Sequence, residues 1–135
     1  MKKIDKYYEN TKNSLPHESV VKFIEMENKK GNAIDLGCGA GRDTVFLLKN
    51  NWNVIAIDRE DTENFIKEKL NTEELKRFKF SKQNFENLKL EKCDLVVSNF
   101  SISFCNKNSF NEFWNKIVNS INEGRIFCRK FFWNK

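Results

Sequence analysis

Short apolar runs recur along the chain with longer polar stretches between them. Val54-Ile55-Ala56-Ile57, which ends in Asp58, is nearly continuous, as expected of a strand covered on both faces in a parallel sheet. Ala33-Ile34-Asp35-Leu36 and Asp94-Leu95-Val96-Val97-Ser98 read the same way. Phe78-Lys79-Phe80 alternates with lysine and predicts an edge strand protected by charge on one face. Between these runs the apolar spacing changes to steps of three and four. Val20, Val21 and Ile24 form a short helical stripe, capped by Ser14 with Pro16 in the first turn and ended by Gly31. Val45 to Leu48 predicts a helix opening near Asp43 or Thr44, and a further helix is expected from about Asp61-Thr62 to Leu70, followed by a polar break. Phe110, Phe113, Trp114, Ile117, Val118 and Ile121 give the clearest amphipathic helix, with Asn122-Glu123-Gly124 closing it before a last strand from Arg125 to Phe132. Strands alternating with helices imply a doubly wound α/β layer structure with right-handed crossovers.

Within that pattern Leu36 runs into Gly37-Cys38-Gly39-Ala40-Gly41, which holds three of the chain's five glycines. A buried strand entering a glycine turn and then a helix is expected to bring bare backbone N–H groups to the mouth of a cleft. In doubly wound sheets ligands bind there, beyond the carboxyl ends of the strands at the switch point.

Composition narrows the setting. The 135 residues fit one domain, and one proline argues against disorder. The formal charge of +5 is scattered as single lysines and names no partner, neither nucleic acid nor membrane. Four cysteines without a C-x-x-C pair and one histidine leave no zinc site to build, so the cysteines read as reduced thiols and no metal is expected. With no signal peptide or spanning segment, the expectation is a cytoplasmic protein. Residues 2–13 are polar apart from Tyr7 and Tyr8 and read as an N-terminal arm of residues 1–13 before a domain over 14–135. His17 falls in the first turn of the first predicted helix and reads as a surface or capping residue.

Two cofactor classes use a glycine turn of this kind. A dinucleotide calls for G-x-G-x-x-G, but here Gly41 comes one position early and Arg42 takes the expected place. Asp35, just before the turn, would repel a pyrophosphate yet suit a ligand that carries an ammonium or a sulfonium. S-adenosylmethionine has that charge pattern, and Asp58 stands where either class needs an acceptor for ribose hydroxyls.

Asp35-Leu36-Gly37-Cys38-Gly39-Ala40-Gly41-Arg42-Asp43, followed by Ala56-Ile57-Asp58, resembles the first two motifs of class I S-adenosylmethionine-dependent methyltransferases. The stretch from Asp94 to Cys105, with Phe110 to Trp114 and Gly124-Arg125, is similar to a bacterial subgroup related to the tellurite-resistance methyltransferases. The resemblance implies a mainly parallel five-stranded sheet of order 3-2-1-4-5 with helices on both faces. It implies that Gly37, Cys38, Gly39 and Gly41 wrap the methionine part, that Asp35 meets its amino group, and that Asp58, beside Arg59, binds the ribose. Asn84 and Phe85 would flank the adenine, with Asn84 standing where an acidic residue is commoner. Ser98 and Asn99 would border the methyl group and the substrate.

Each of these residues also has a plainer role open to it. Asp35 and Asp58 also fit as capping or surface carboxylates, Arg42 and Asp43 as first-turn helix residues, Asn84 as a loop residue and Phe85 as core. Phe100 and Phe104 either wall a pocket or fill the core, and Cys105 reads as a small apolar side chain. No catalytic residue is identified, since methyl transfer from a sulfonium needs alignment and exclusion of water more than a dedicated group. Asn99-Phe100-Ser101-Ile102 lacks the prolines of the Asn-Pro-Pro-aromatic motif, and no Pro-Cys nucleophile is present. A small-molecule acceptor is therefore the expectation. The chain stops after Phe131-Phe132-Trp133-Asn134-Lys135, without the antiparallel hairpin that usually completes this fold. That leaves an edge strand open to homo-oligomerisation, and a natural truncation or a fragment as the other accounts. The alternative to a working enzyme is a degenerate domain that binds the cofactor, or serves structure or interaction alone, without turnover.

Overall fold

The computed structural model describes residues 15–98 and 107–129, with side chains over 15–98 and 111–122. The readings of Tyr7, Tyr8, Ser14, Asn99, Phe100, Phe104, Cys105 and the chain end lie outside these residues. In order come α1 (Glu18–Met26), β1 (Asn32–Leu36), α2 (Arg42–Lys49), β2 (Asn53–Asp58), α3 (Glu63–Lys67), α4 (Thr72–Lys76) and β3 (Phe78–Lys82). A 3₁₀ turn (Phe85–Asn87), β4 (Cys93–Ser98), α5 (Lys107–Ser120) and β5 (Ile121–Arg129) follow. The five strands form one sheet of order β3-β2-β1-β4-β5, and every pairing is parallel. The expected fold class and strand order are therefore observed.

Alternation along the strands separates two cores. Ala33, Val54, Ala56, Leu95 and Val97 face Val20, Leu47, Leu48, Trp52 and Ile66 on one side of the sheet. Ile34, Leu36, Ile57 and Val96 face Phe113, Ile117 and Leu88 on the other. Both faces of the central strands are covered, which is why their sequences are nearly continuous apolar runs. The strand ends are level: Leu36 pairs with Ile57 on one side and Ser98 on the other, so Gly37, Asp58 and Ser98 emerge at one edge of the sheet.

Four local expectations need correction. Gly31 does not end α1, which stops at Met26. Gly31 instead lies against Asp94, where a Cβ would come within 2.3 Å of Oδ2. That carboxylate accepts from the Asn32 N–H at 2.9 Å and the Asn122 side-chain amide at 2.9 Å, tying β1 to β5. The helix expected from Asp61 to Leu70 ends at Lys67, and the polar break contains α4. The signal for α4 is Asn71 with Glu74 three residues on: the Asn71 Oδ1 accepts from the Glu74 N–H at 2.9 Å, and the Asn71 N–H donates to Glu74 Oε1 at 3.0 Å. β5 begins at Ile121, with no closing turn before it; Asn122 to Arg125 form an irregularity between the Cys93–Ile121 and Leu95–Ile126 pairs. On α5, Phe113 and Ile117 are buried but Val118 is 50% exposed, so the buried stripe is narrower than the spacing suggested.

Candidate cofactor site

The turn after β1 owes its shape to glycine. Gly37, Gly39 and Gly41 have φ of 70°, 54° and 87°, the left-handed region that a side chain disfavours. Gly41 is also the residue before α2 and has no side chain with which to cap it. The first turn of α2 is met from below instead: the Thr44 hydroxyl donates to Asp35 Oδ2 at 2.6 Å. Asp35 lies on the α2 side of β1, as its position between Ile34 and Leu36 requires, and is 1% exposed.

Most of the N–H groups expected to be bare have partners within the fold. The Gly37 and Cys38 N–H groups both donate to the Ile57 carbonyl, at 2.8 and 3.1 Å, and Gly41 N–H donates to the Cys38 carbonyl at 2.9 Å. The Gly39 N–H donates to Asp58 Oδ2 at 2.9 Å, while Asp58 Oδ1 accepts from Glu60 N–H at 3.0 Å. Four of the five N–H groups of the loop, those of Gly37, Cys38, Gly39 and Gly41, are thus engaged internally, and carboxylates gather around it. Burial holds the Asp35 carboxyl well above the usual carboxylate range; the negative charges of Asp43 and, less, of Asp58 push the same way, while Thr44 opposes them. Cys38, expected to wrap a ligand, is buried with Sγ 3.8 Å from Thr62 Oγ1. Burial, then the negative charges of Asp35 and Asp58, push its thiol well up and favour the neutral form.

A carboxyl that ionises less readily in the folded chain binds its proton more tightly there than in the unfolded chain. Stability is then full below the ordinary carboxylate range and falls as pH rises through the folded titration of Asp35. Asp35→Asn keeps an acceptor for Thr44 and removes that fall. The unliganded variant should melt higher than the parent at neutral pH, with the two converging toward about pH 4. Melting curves across pH that remain parallel would contradict this.

The other expected residues are placed as follows. Ser98 ends β4, is 0% exposed, and its hydroxyl has no hydrogen-bond partner among the described residues. An orphaned buried hydroxyl at the carboxyl edge, beside Leu36, is a group that a ligand can satisfy. Arg59 is exposed just past Asp58. Asn84 is exposed and its Oδ1 accepts from Glu86 N–H at 3.2 Å, starting the 3₁₀ turn. Phe85 packs edge-on against Phe113 with centroids 6.1 Å apart. The plainer roles of Asn84 and Phe85 are therefore both filled, and both residues lie just beyond the carboxyl end of β3.

The sequence reading missed part of the role of His17. It is the N-cap residue of α1, as the capping expectation had it, but through its carbonyl, which accepts from the Val20 and Val21 N–H groups; the part not foreseen is its ring, whose Nδ1 lies 2.6 Å from Asp43 Oδ2 and whose Nε2 meets Arg42 Nη2. A lone histidine on a polar helix start carries no local signal for a contact 26 residues away. Among the described residues no group of His, Cys, Asp and Glu forms a metal site, and no helix is long and apolar enough to cross a membrane.

The model of the family described as tellurite resistance protein TehB matches residues 1–126. TehB of Haemophilus influenzae superposes with a TM-score of 0.69 at 22% identity, over 93% of this chain and 44% of that one. A 1,6-didemethyltoxoflavin-N1-methyltransferase of Burkholderia thailandensis, solved with its substrate and S-adenosylhomocysteine, gives 0.68 at 18% identity over 81% and 48%. The glycopeptide N-methyltransferase MtfA, solved with S-adenosyl-L-methionine, gives 0.67 at 15% over 85% and 54%. The chain thus spans about half the length of these structures, and at such identities the likeness is one of fold. No curated protein sequence matches the chain. The family match covers nearly all of it: the chain belongs to the TehB family of class I S-adenosylmethionine-dependent methyltransferases.

Proposed function

We propose that residues 14–135 bind S-adenosylmethionine at the carboxyl edge of the sheet and transfer its methyl group to a small-molecule acceptor, with residues 1–13 as an arm. The observation that carries this is the charge of the turn. Four of its five N–H groups have partners inside the fold, whereas Asp35 and Asp58 are buried beside it. Such a turn repels a pyrophosphate and attracts a ligand whose groups are cationic, an ammonium next to a sulfonium. The match of the chain to the TehB family supports the same choice over a dinucleotide.

On this reading the bound cofactor supplies a methyl group on a positively charged sulfur. The chain's own residues supply placement. Asp35, hard to ionise when alone, becomes a full carboxylate when an ammonium stands over it, acting through the loop rather than from the surface. Asp58 accepts from the ribose hydroxyls with lone pairs that Gly39 and Glu60 leave open, since a carboxylate has about four acceptor sites. The turn of Gly37, Cys38, Gly39 and Gly41 gives close approach, and Ser98 offers on the methyl side a hydroxyl that has no partner among the described residues. Arg59, Asn84 and Phe85 border the nucleoside at the ends of β2 and β3. In-line transfer then depends on alignment and the exclusion of water. A cytoplasmic setting, and pairing of two copies through β5 at the sheet's edge, are parts of the same proposal; nucleic acid and membrane are not.

Incubation with methyl-labelled S-adenosylmethionine and a fractionated small-molecule extract tests turnover. Label passing to a low-molecular-mass component supports the proposal. Cofactor binding with no transfer to any fraction would favour the reading as a binding domain without turnover.

A further inference from the structure

We infer that His17 is a positioning residue for the amino-acid end of the cofactor, acting through Arg42, an inference that rests on the cofactor reading proposed above. The main-chain N–H of His17 donates to Asp43 Oδ1 at 2.8 Å, and its ring Nδ1 lies 2.6 Å from Asp43 Oδ2. Its Nε2 is bonded to Arg42 Nη2. A guanidinium has only donors, so Nε2 must be the acceptor and the ring proton sits on Nδ1, from which it is donated to Asp43. One tautomer of a neutral imidazole therefore stands between a cation and a carboxylate. The His17 and Asp43 side chains are 11% and 4% exposed, so these bonds are shielded from water.

The arrangement has a chemical consequence. Arginine pairs more strongly with a carboxylate than with an imidazole. With each Asp43 oxygen bonded to residue 17 and Nη2 of Arg42 bonded to the ring, Arg42 keeps its charge and its remaining donors one residue past Gly41. A ligand's α-carboxylate needs more donors than the turn leaves it, because four of its five N–H groups, those of Gly37, Cys38, Gly39 and Gly41, already have partners. Arg42, half-buried and held by α1, is the group that meets this need. α1 and the turn then act as one unit, though 25 residues separate His17 from Arg42.

Two ligands separate this role from a merely structural one. S-adenosylhomocysteine carries the amino acid, whereas 5′-methylthioadenosine shares the adenosine and thioether but lacks it. His17→Gln places an amide acceptor near the Nε2 position and keeps the tie to Arg42; His17→Asn places its amide near Nδ1 and keeps only the tie to Asp43. By calorimetry, His17→Gln should bind S-adenosylhomocysteine within about threefold of the parent, and His17→Asn and Arg42→Gln should bind it about tenfold or more weakly. 5′-Methylthioadenosine should bind all of them within about threefold of the parent. Arg42→Gln, at the rim, keeps the comparison readable if a His17 variant does not fold. Equal losses for both ligands, or an unchanged affinity of His17→Asn and Arg42→Gln for S-adenosylhomocysteine, would overturn the role of His17. A parent protein that binds neither ligand would instead overturn the cofactor reading and this inference with it.

Discussion

Asp58→Ala is expected to weaken S-adenosylhomocysteine binding by about a hundredfold or more. On the proposed reading two ribose hydroxyls lose a charged acceptor, each such bond being worth about 1.5–3 kcal/mol. A second effect adds to the first, because the same carboxylate fixes the turn: Asp58 Oδ2 holds the Gly39 N–H and Oδ1 holds that of Glu60. Asp58 is 6% exposed, and removing it also takes the charged acceptor from the half-buried Gly39 N–H and lowers stability by about 1–3 kcal/mol. Asp58→Asn separates the two effects. One amide oxygen can still accept from Gly39, so the fold keeps most of its stability while the affinity falls between those of parent and alanine variant. Calorimetry and thermal melts on the three proteins read both quantities. An Asp58→Ala protein that binds as tightly as the parent would remove Asp58 from the site.

Gly41→Val is the substitution expected to cost the fold most, about 2–5 kcal/mol. The backbone at φ 87° belongs to the left-handed region, where a branched side chain is penalised by about 1–2 kcal/mol or more. A Cβ there would also stand 2.4 Å from Cγ1 of Ile66, which is 0% exposed. Overpacking of this kind adds about 1–3 kcal/mol. The steric part is separable. Ile66→Ala removes Cγ1 and leaves Cβ at 3.3 Å, so in a double-mutant cycle with Gly41→Ala the two losses should fall short of adding by about 1 kcal/mol or more. Denaturant melts supply the four stabilities; simple additivity would mean that Ile66 does not press on the turn.

How much of this was legible follows from where each signal resides. The strands were readable because both faces of β1, β2 and β4 are covered, which writes burial into consecutive residues such as Val54 to Ile57. The turn was readable because glycine is the residue that most readily adopts its three positive φ values. The acids Asp35 and Asp58 stood out as charged residues at the ends of apolar runs. The fate of the loop's N–H groups was not readable, since it depends on the Ile57 carbonyl and the Asp58 carboxylate arriving from the next strand. The Arg42–His17–Asp43 contacts were hidden for a related reason: α1 reaches the start of α2 through tertiary packing alone, and no spacing in the sequence encodes it. α4 had a local signal in Asn71 and Glu74 that a reading by apolar periodicity passes over. Asn84 and Phe85 were suggested by resemblance alone, and their contacts in the structure fit a turn and a core.

The central claim is that the acid-lined glycine turn holds a cationic sulfur cofactor and not a dinucleotide. Isothermal titration of the purified chain with S-adenosylmethionine, S-adenosylhomocysteine and NAD tests it directly. Affinity on the order of micromolar for the first two, about −8 kcal/mol, with no measurable heat for NAD, is the predicted result. A folded sample that takes up NAD, or that gives no heat with either sulfur ligand, would contradict it.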